Sequence, residues 1–190
     1  MTAAARDAVV HYPGGLRARW RWGGSGQAAD VFALTEAGGS IEDHGGLVDP
    51  EPDRLCRAEL RLDGPGGGWT ARFASSIFDD PRGLYWDISG LLVVAYGFHT
   101  YALDARSGRL RWSHRSATPI VDLLASSRLD HVIVQAEIET FAIRDDGDVT
   151  WRIGHSDVVT GAELVGGRLV LTSYGGALAA IDPVTGRTSG

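Results

Sequence analysis

Three turn glycines keep a constant spacing along this chain: Gly108, Gly147 and Gly186 lie 39 residues apart. Around each runs the same succession of an aromatic or small residue, Ala, an apolar residue, Asp or a polar substitute, a short turn, Gly, and a further strand. The copies are YALDARSGRLRW (Tyr101 to Trp112), FAIRDDGDVTW (Phe141 to Trp151) and LAAIDPVTGRTSG (Leu178 to Gly190). The second is one residue shorter in its turn and carries Arg144 where the others have Asp104 and Asp182. A period of this length holds about four short strands, the content of one propeller blade. One such sheet cannot bury both of its faces, so the units must stack on one another.

Composition supports many turns. Glycine supplies 26 of 190 residues, about twice the usual ~7% and without a collagen-like period. Helical periodicity is nearly absent. From residue 84 onward the chain falls into short β-rich runs such as LLVVAYG, HVIVQAE and RLVLTSYG, bounded by glycine or charged pairs. Within each copy the Asp side chain can accept backbone N–H groups across the turn, and glycine supplies a positive φ. The tryptophan on the next strand offers a large apolar surface and one N–H to satisfy.

These residues carry a family resemblance. ALDARSGRLRW (Ala102 to Trp112) resembles the tryptophan-docking motif of the quinoprotein-type, or PQQ-like, β-propeller repeats. Ala102, Asp104, Gly108 and Trp112 match it, with Ser107 in place of Thr. AIDPVTG matches at Ala180, Asp182, Thr185 and Gly186, while its tryptophan position falls on Gly190. AIRDDGDVTW keeps Ala142, Gly147 and Trp151 and loses the Asp. The resemblance covers residues 84–190 and implies an all-β fold: a small β-propeller or propeller-like stack of four to five antiparallel sheets. The alternative is an open arc of blades closed by dimerisation. The whole chain reads as one such domain, with degenerate blades or a small β-sheet over 1–70 and three clearer repeats over 71–190.

The N-terminal third is less regular. FALTEAGGSI (Phe32 to Ile41) and LRLDGPGGGW (Leu60 to Trp69) align as degenerate copies, joined by the loop EDHGGLVDPEPDR. LRARWRW (Leu16 to Trp22) is either a spare strand that completes the last blade or part of the first. Its arginines read as edge-strand decoration.

The net charge of -6 argues against nucleic-acid or anionic-membrane partners, because phosphate binding needs a basic surface. One cysteine, Cys56, excludes an intramolecular disulfide framework and a multi-cysteine zinc site; on a strand it reads as a small buried hydrophobe. MTAAARDAVVHYPGG has no apolar run of leader type, and no run in the chain is long enough to span a bilayer. The expectation is a soluble, cytoplasmic protein. Its Ala-, Gly- and Arg-rich composition has a bacterial look.

No catalytic residue, metal set or cofactor site can be assembled. In quinoprotein dehydrogenases the resemblance implies a quinone on the axis of a much larger ring, beside a cysteine pair and a calcium ion. A single cysteine and few blades imply no cofactor here. RDDGD (Arg144 to Asp148) lacks the distal Glu of an EF-hand loop and reads as a turn. EDH (Glu42 to His44) supplies only part of a metal site. GPGGGW lacks the Lys and helix of a phosphate loop. The FDDPRGLYWD segment (Phe78 to Asp87) reads as a loop entering a blade, with Tyr85 and Trp86 either interface anchors or packing residues.

Three functions follow as expectations. The first is a non-enzymatic scaffold that binds another protein through blade loops, monomeric if the ring closes and homodimeric otherwise. The second is a small-molecule or carbohydrate binder between blades, marked by equivalent aromatic-lined pockets. The third is a hydrolase or lyase with a His/carboxylate site at the axial opening, marked by convergence of two or more of His99, His114, His131 and His155.

Overall fold

The computed structural model describes residues 5–24, 41–44 and 55–188, with backbone only for 41–44. Most of FALTEAGGSI and the loop after His44 lie outside the described residues. Sixteen strands are described, in four sheets. The first sheet has the order β1-β2-β4-β5-β3, from β1 (Arg6–Tyr12), β2 (Leu16–Gly23), β3 (Ile41–His44), β4 (Cys56–Gly64) and β5 (Gly67–Ser75). Its pairs are antiparallel except β3 on β5.

The second sheet runs in chain order through β6 (Arg82–Trp86), β7 (Leu91–Tyr96), β8 (His99–Asp104) and β9 (Leu110–Arg115). The third follows with β10 (Ile120–Leu124), β11 (His131–Ala136), β12 (Glu139–Arg144) and β13 (Val149–Gly154). The fourth has β14 (Val159–Val165), β15 (Arg168–Ser173) and β16 (Leu178–Ile181), with one further bridge from Ile181 to Thr188. These are blade-like antiparallel meanders, so the fold is all-β and, among the described residues, the sheet count is four.

The chain divides into two compact units. One combines residues 1–81 with the turn 103–110, and the other 82–102 with 111–190. In the first unit β2 lies between β1 and β4, both of its edges taken. LRARWRW therefore belongs to the first sheet and is neither a spare closing strand nor an edge. Its period-2 pattern explains why. Ala18, Trp20 and Trp22 point into a core with Ala58, Leu60, Leu62, Trp69, Ala71 and Phe73, all buried. Arg17, Arg19 and Arg21 take the other face, where Arg19 and Arg61 both pair with Asp63 at 2.8 and 3.1 Å, and Arg72 pairs with Glu59 at 3.2 Å. Cys56 is buried.

In the second unit two apolar clusters lie on the two faces of the third sheet. Val132, Val134, Phe141 and Ile143 pack with Trp86, Leu91, Val93, Ala95, Ala102 and Trp112. Leu129 and Ile133 pack with Val159, Ala162, Leu169, Leu171 and Ile181. This is why β7 (LLVVAY) and the centre of β11 (VIV) are apolar without alternation: every residue of each strand is buried, so both faces are covered. FDDPRGLYWD is only partly a loop. Residues 82–86 form β6, and Trp86 is 3% exposed inside the first of these clusters.

Candidate interaction site

The repeated turns share one backbone frame. Gly108 N donates to Asp104 O, Gly147 N to Arg144 O and Gly186 N to Asp182 O, at 2.8 to 3.0 Å. Asp104 N and Asp182 N reach five residues ahead to Arg109 O and Arg187 O, whereas Arg144 N reaches only four, to Asp148 O. The shorter turn is thus closed without its Asp. Asp104 Oδ1 accepts Arg106 N, Ser107 N and Ser107 Oγ at 2.9 to 3.1 Å, and Asp182 Oδ1 accepts Val184 N at 2.8 Å. The Val184 N–H first, then Thr185, hold the Asp182 carboxyl below its ordinary range. In RDDGD the carboxylate of Asp146 accepts Asp148 N at 2.9 Å, which is turn chemistry.

Each turn is capped by the tryptophan of the preceding repeat. Trp69 Nε1 donates to Ala105 O (3.0 Å), Trp112 Nε1 to Asp145 O (3.1 Å) and Trp151 Nε1 to Pro183 O (3.2 Å). The glycines are required twice over. Their φ values are +75°, +93° and +70°, and a Cβ would fall within 2.6 to 2.9 Å of the docked indole or its Cβ. Trp69 makes the same dock although it stands two residues, not four, after its turn glycine Gly67. The motif residues Ala102 and Ala142 are fully buried, whereas Ala180 is exposed.

At the opposite end of the third and fourth sheets, the linkers are tied to the hairpin turns. His155 N donates to Ile138 O, Val159 N to Glu137 O and Tyr174 N to Val158 O, at 2.7 to 2.8 Å. This end also carries exposed Ile138, Val158, Tyr174 and Leu178, with Tyr174 82% and Leu178 71% exposed.

The four histidines singled out from sequence have separate partners. His99 stacks on Tyr101. His114 Nε2 accepts Arg152 Nη2 at 2.8 Å, and its ring lies 4.7 Å from Phe141. Buried His131 lies 2.9 Å from Asp130 Oδ1 through Nδ1 and 2.8 Å from Pro183 O through Nε2. His155 Nε2 meets Thr140 Oγ1 at 2.6 Å. Burial pushes His99, His114 and His155 below the ordinary imidazole value, with Arg115 adding to it at His99 and Arg152 at His114. Among the described residues no group of three or more His, Cys, Asp or Glu is placed to hold a metal ion. The structure therefore gives no support to a metal-dependent hydrolase at these histidines.

Tyr85 is half-buried and Trp86 is buried. Trp86 is no surface anchor, because its ring is enclosed by Leu91, Val93 and their neighbours. Sequence reading missed instead a cleft of about 290 Å³ beside the exposed cluster, lined by Gly154, His155, Asp157, Leu171, Leu178 and Ala179 among others. A second cleft of about 350 Å³, around Leu129, Leu164 and Val184, lies at the turn end. Neither has an aromatic wall, as the carbohydrate-binder reading requires.

Blade-like, mainly antiparallel sheets of three to five strands, with tryptophans docked on the following turns, resemble PQQ-type β-propeller repeats. Residues 97–189, just under half of the chain, match the family model described as outer membrane protein assembly factor BamB. Among curated proteins none matches the sequence. Solved structures of similar fold include BamB from Moraxella catarrhalis, at 16% identity and a TM-score of 0.52, covering 98% of this chain and 58% of that one. HIRA(644-1017) aligns at 13% identity and a TM-score of 0.52, covering 100% and 53%. The computationally designed Ika8 protein aligns at 10% identity and a TM-score of 0.56, covering 98% and 60%. This chain thus spans between half and two thirds of each.

The family match overturns the expectation of a cytoplasmic protein, since the family is described by an outer membrane assembly factor. That expectation rested on the lack of an apolar leader, and such a lack carries no information about compartment. Among the described residues no helix is long and apolar enough to cross a membrane.

Proposed function

We propose that this protein is a non-catalytic scaffold that binds another protein through the linker-and-turn end of its third and fourth sheets. The observation that carries this reading is the gathering of Ile138, Val158, Tyr174 and Leu178 at that one end, exposed and tied together through the linkers. Exposed apolar residues scattered singly need no explanation, but four on adjoining turns form an interaction patch. The family's description as an assembly factor supports a protein partner over a substrate. Blade loops on a rigid scaffold are also where binding residues concentrate.

Photo-crosslinking residues placed at Ile138 or Tyr174 test this reading, with Arg111 on β9 as the control position. In cell-envelope extract a discrete adduct is expected from the first two and not from the third. Excess wild-type protein should suppress it, and excess protein bearing Tyr174→Ser and Leu178→Ser should not. Equal labelling from all three positions, or suppression by the double variant, overturns the proposal.

A further inference from the structure

The cleft at Ala179 has a recognisable origin. Val134 pairs with Phe141 in the third sheet, and Leu171 pairs with Ala179 in the fourth. Val132 with Ile143 likewise corresponds to Leu169 with Ile181. Ala179 thus stands where the third sheet has Phe141 and the second has Tyr101. Phe141 fills its place completely: it is 0% exposed, with the His114 ring 4.7 Å away and the Arg152 guanidinium 4.9 Å from its centroid. Alanine in the same place leaves a hollow walled by Val159, Leu171 and Leu178. At about 290 Å³ it is near the lower limit of ligand pockets, ~300 Å³. That size suits one side chain.

One polar group on its wall is preset. Thr140 Oγ1 gives its only proton to Gln135 Oε1 at 2.6 Å, so it accepts the Nε2–H of His155. Gln135 is fixed in turn by donating to Ala136 O and Glu139 O, and Gln135 and Thr140 are both 0% exposed. His155 therefore carries its proton on Nε2, and its Nδ1 is an acceptor with no bond among the described residues. Of the other polar residues that line it, Asp157 is engaged by Val158 N, Gly175 N and Ser173, and Ser173 Oγ also accepts Ala177 N, while Ser156 completes the polar side. The cleft thus combines an apolar side, from Val159, Leu171, Leu178 and Ala179, with a polar side on which His155 Nδ1 has no bond among the described residues.

We infer that this cleft receives a single aromatic side chain bearing a hydrogen-bond donor, a tryptophan or tyrosine of a partner protein. Its ring occupies the place that Phe141 fills in the preceding sheet, and its N–H or O–H donates to His155 Nδ1. This inference rests on the protein-binding reading and names the residue type that the partner supplies. An apolar aliphatic side chain would leave the acceptor unsatisfied, and a cation would find no free carboxylate.

The test is an amide-shift titration of the full chain with N-acetyl-tryptophanamide, N-acetyl-1-methyltryptophanamide and N-acetyl-leucinamide. Saturable shifts are expected at Gly154, His155 and Leu178 for the first ligand. Methylating the indole nitrogen should weaken binding at least fivefold, and the leucine compound should be weaker still. Ala179→Phe should abolish the response by filling the hollow from within. If that variant does not fold, Ala179→Leu serves in its place. No saturable shift with the first ligand, equal binding of the methylated one, or an unchanged response in the filled variant overturns the inference. If it fails while crosslinking from Tyr174 persists, the protein-binding reading stands without the aromatic receptor. If both fail, that reading falls as well.

Discussion

The second and third sheets meet in the same way as the third and fourth, and yet one junction is filled and the other is not. Both have a docked tryptophan, a positive-φ glycine and linker bonds at matching positions. At the first, Phe141 closes the space and the counterparts of the Thr140–His155 pair are Thr100 and Ser116, whose hydroxyls are buried with no bond among the described residues. At the second, Ala179 leaves a hollow and the polar pair is joined and braced. The docks set how the sheets stack. What lies between them is free to vary, and that freedom is where a repeated scaffold acquires a particular surface.

Disrupting the dock itself should have the largest effect. Gly186→Val places a branched side chain at φ +70°, with its Cβ 2.6 Å from Trp151 Cε3. Strain and displacement of the indole together should cost about 3 kcal/mol or more in urea unfolding. Next comes a swap of the junctions. Phe141→Ala should lose about 3–5 kcal/mol, whereas Ala179→Phe should shift stability by no more than about 1 kcal/mol. Comparable losses in both would mean that the hollow is not a vacant ring site. Smaller again, Trp112→Phe keeps the ring contact and removes the bond to Asp145 O. A loss of about 1 kcal/mol is expected, measured by thermal unfolding.

The smallest effect concerns acid. His99, His114 and His155 have folded pKa values below their unfolded ones, so the folded state binds fewer protons. Their stability contribution is present above the unfolded value, about 6.5, and is lost as the pH falls toward the lowered folded values. The Asp182 carboxyl adds a second loss below about pH 4, because its turn bonds favour the charged form. Denaturation midpoints measured from pH 7 to 3 should fall in these two windows. The His155→Gln variant should lose part of the first window and none of the second.

The ruler of glycines was legible because a turn residue with a forced conformation leaves a mark that no packing context can erase. The period also marked Trp112 and Trp151 as motif residues, but that each docks on the turn of the following repeat is visible only in the structure. Trp69 stands nearer its glycine than the motif allows, and only its contact with Ala105 and Gly108 reveals the same dock. β2 shows a different limit. Alternation in RARWRW gives the inward face, but whether a strand is central depends on a partner such as β4, more than thirty residues away. Ala179 is the least legible of all. An alanine in LAAID reads as a small core residue until its cross-strand neighbour is known to be Leu171. Trp86 was ambiguous for a related reason, since aromatic residues serve cores and surfaces equally well.

Among the described residues the three docks run one way along the chain: the indole comes first and the carbonyl that receives it lies 36, 33 or 32 residues later. Synthesis emits the chain in that same direction. Each of the first three sheets thus leaves the ribosome with one large ring bare and waits some three dozen residues for the turn that covers it. The stack grows vectorially, and an arrest or truncation within any such interval leaves an uncovered tryptophan as its signature.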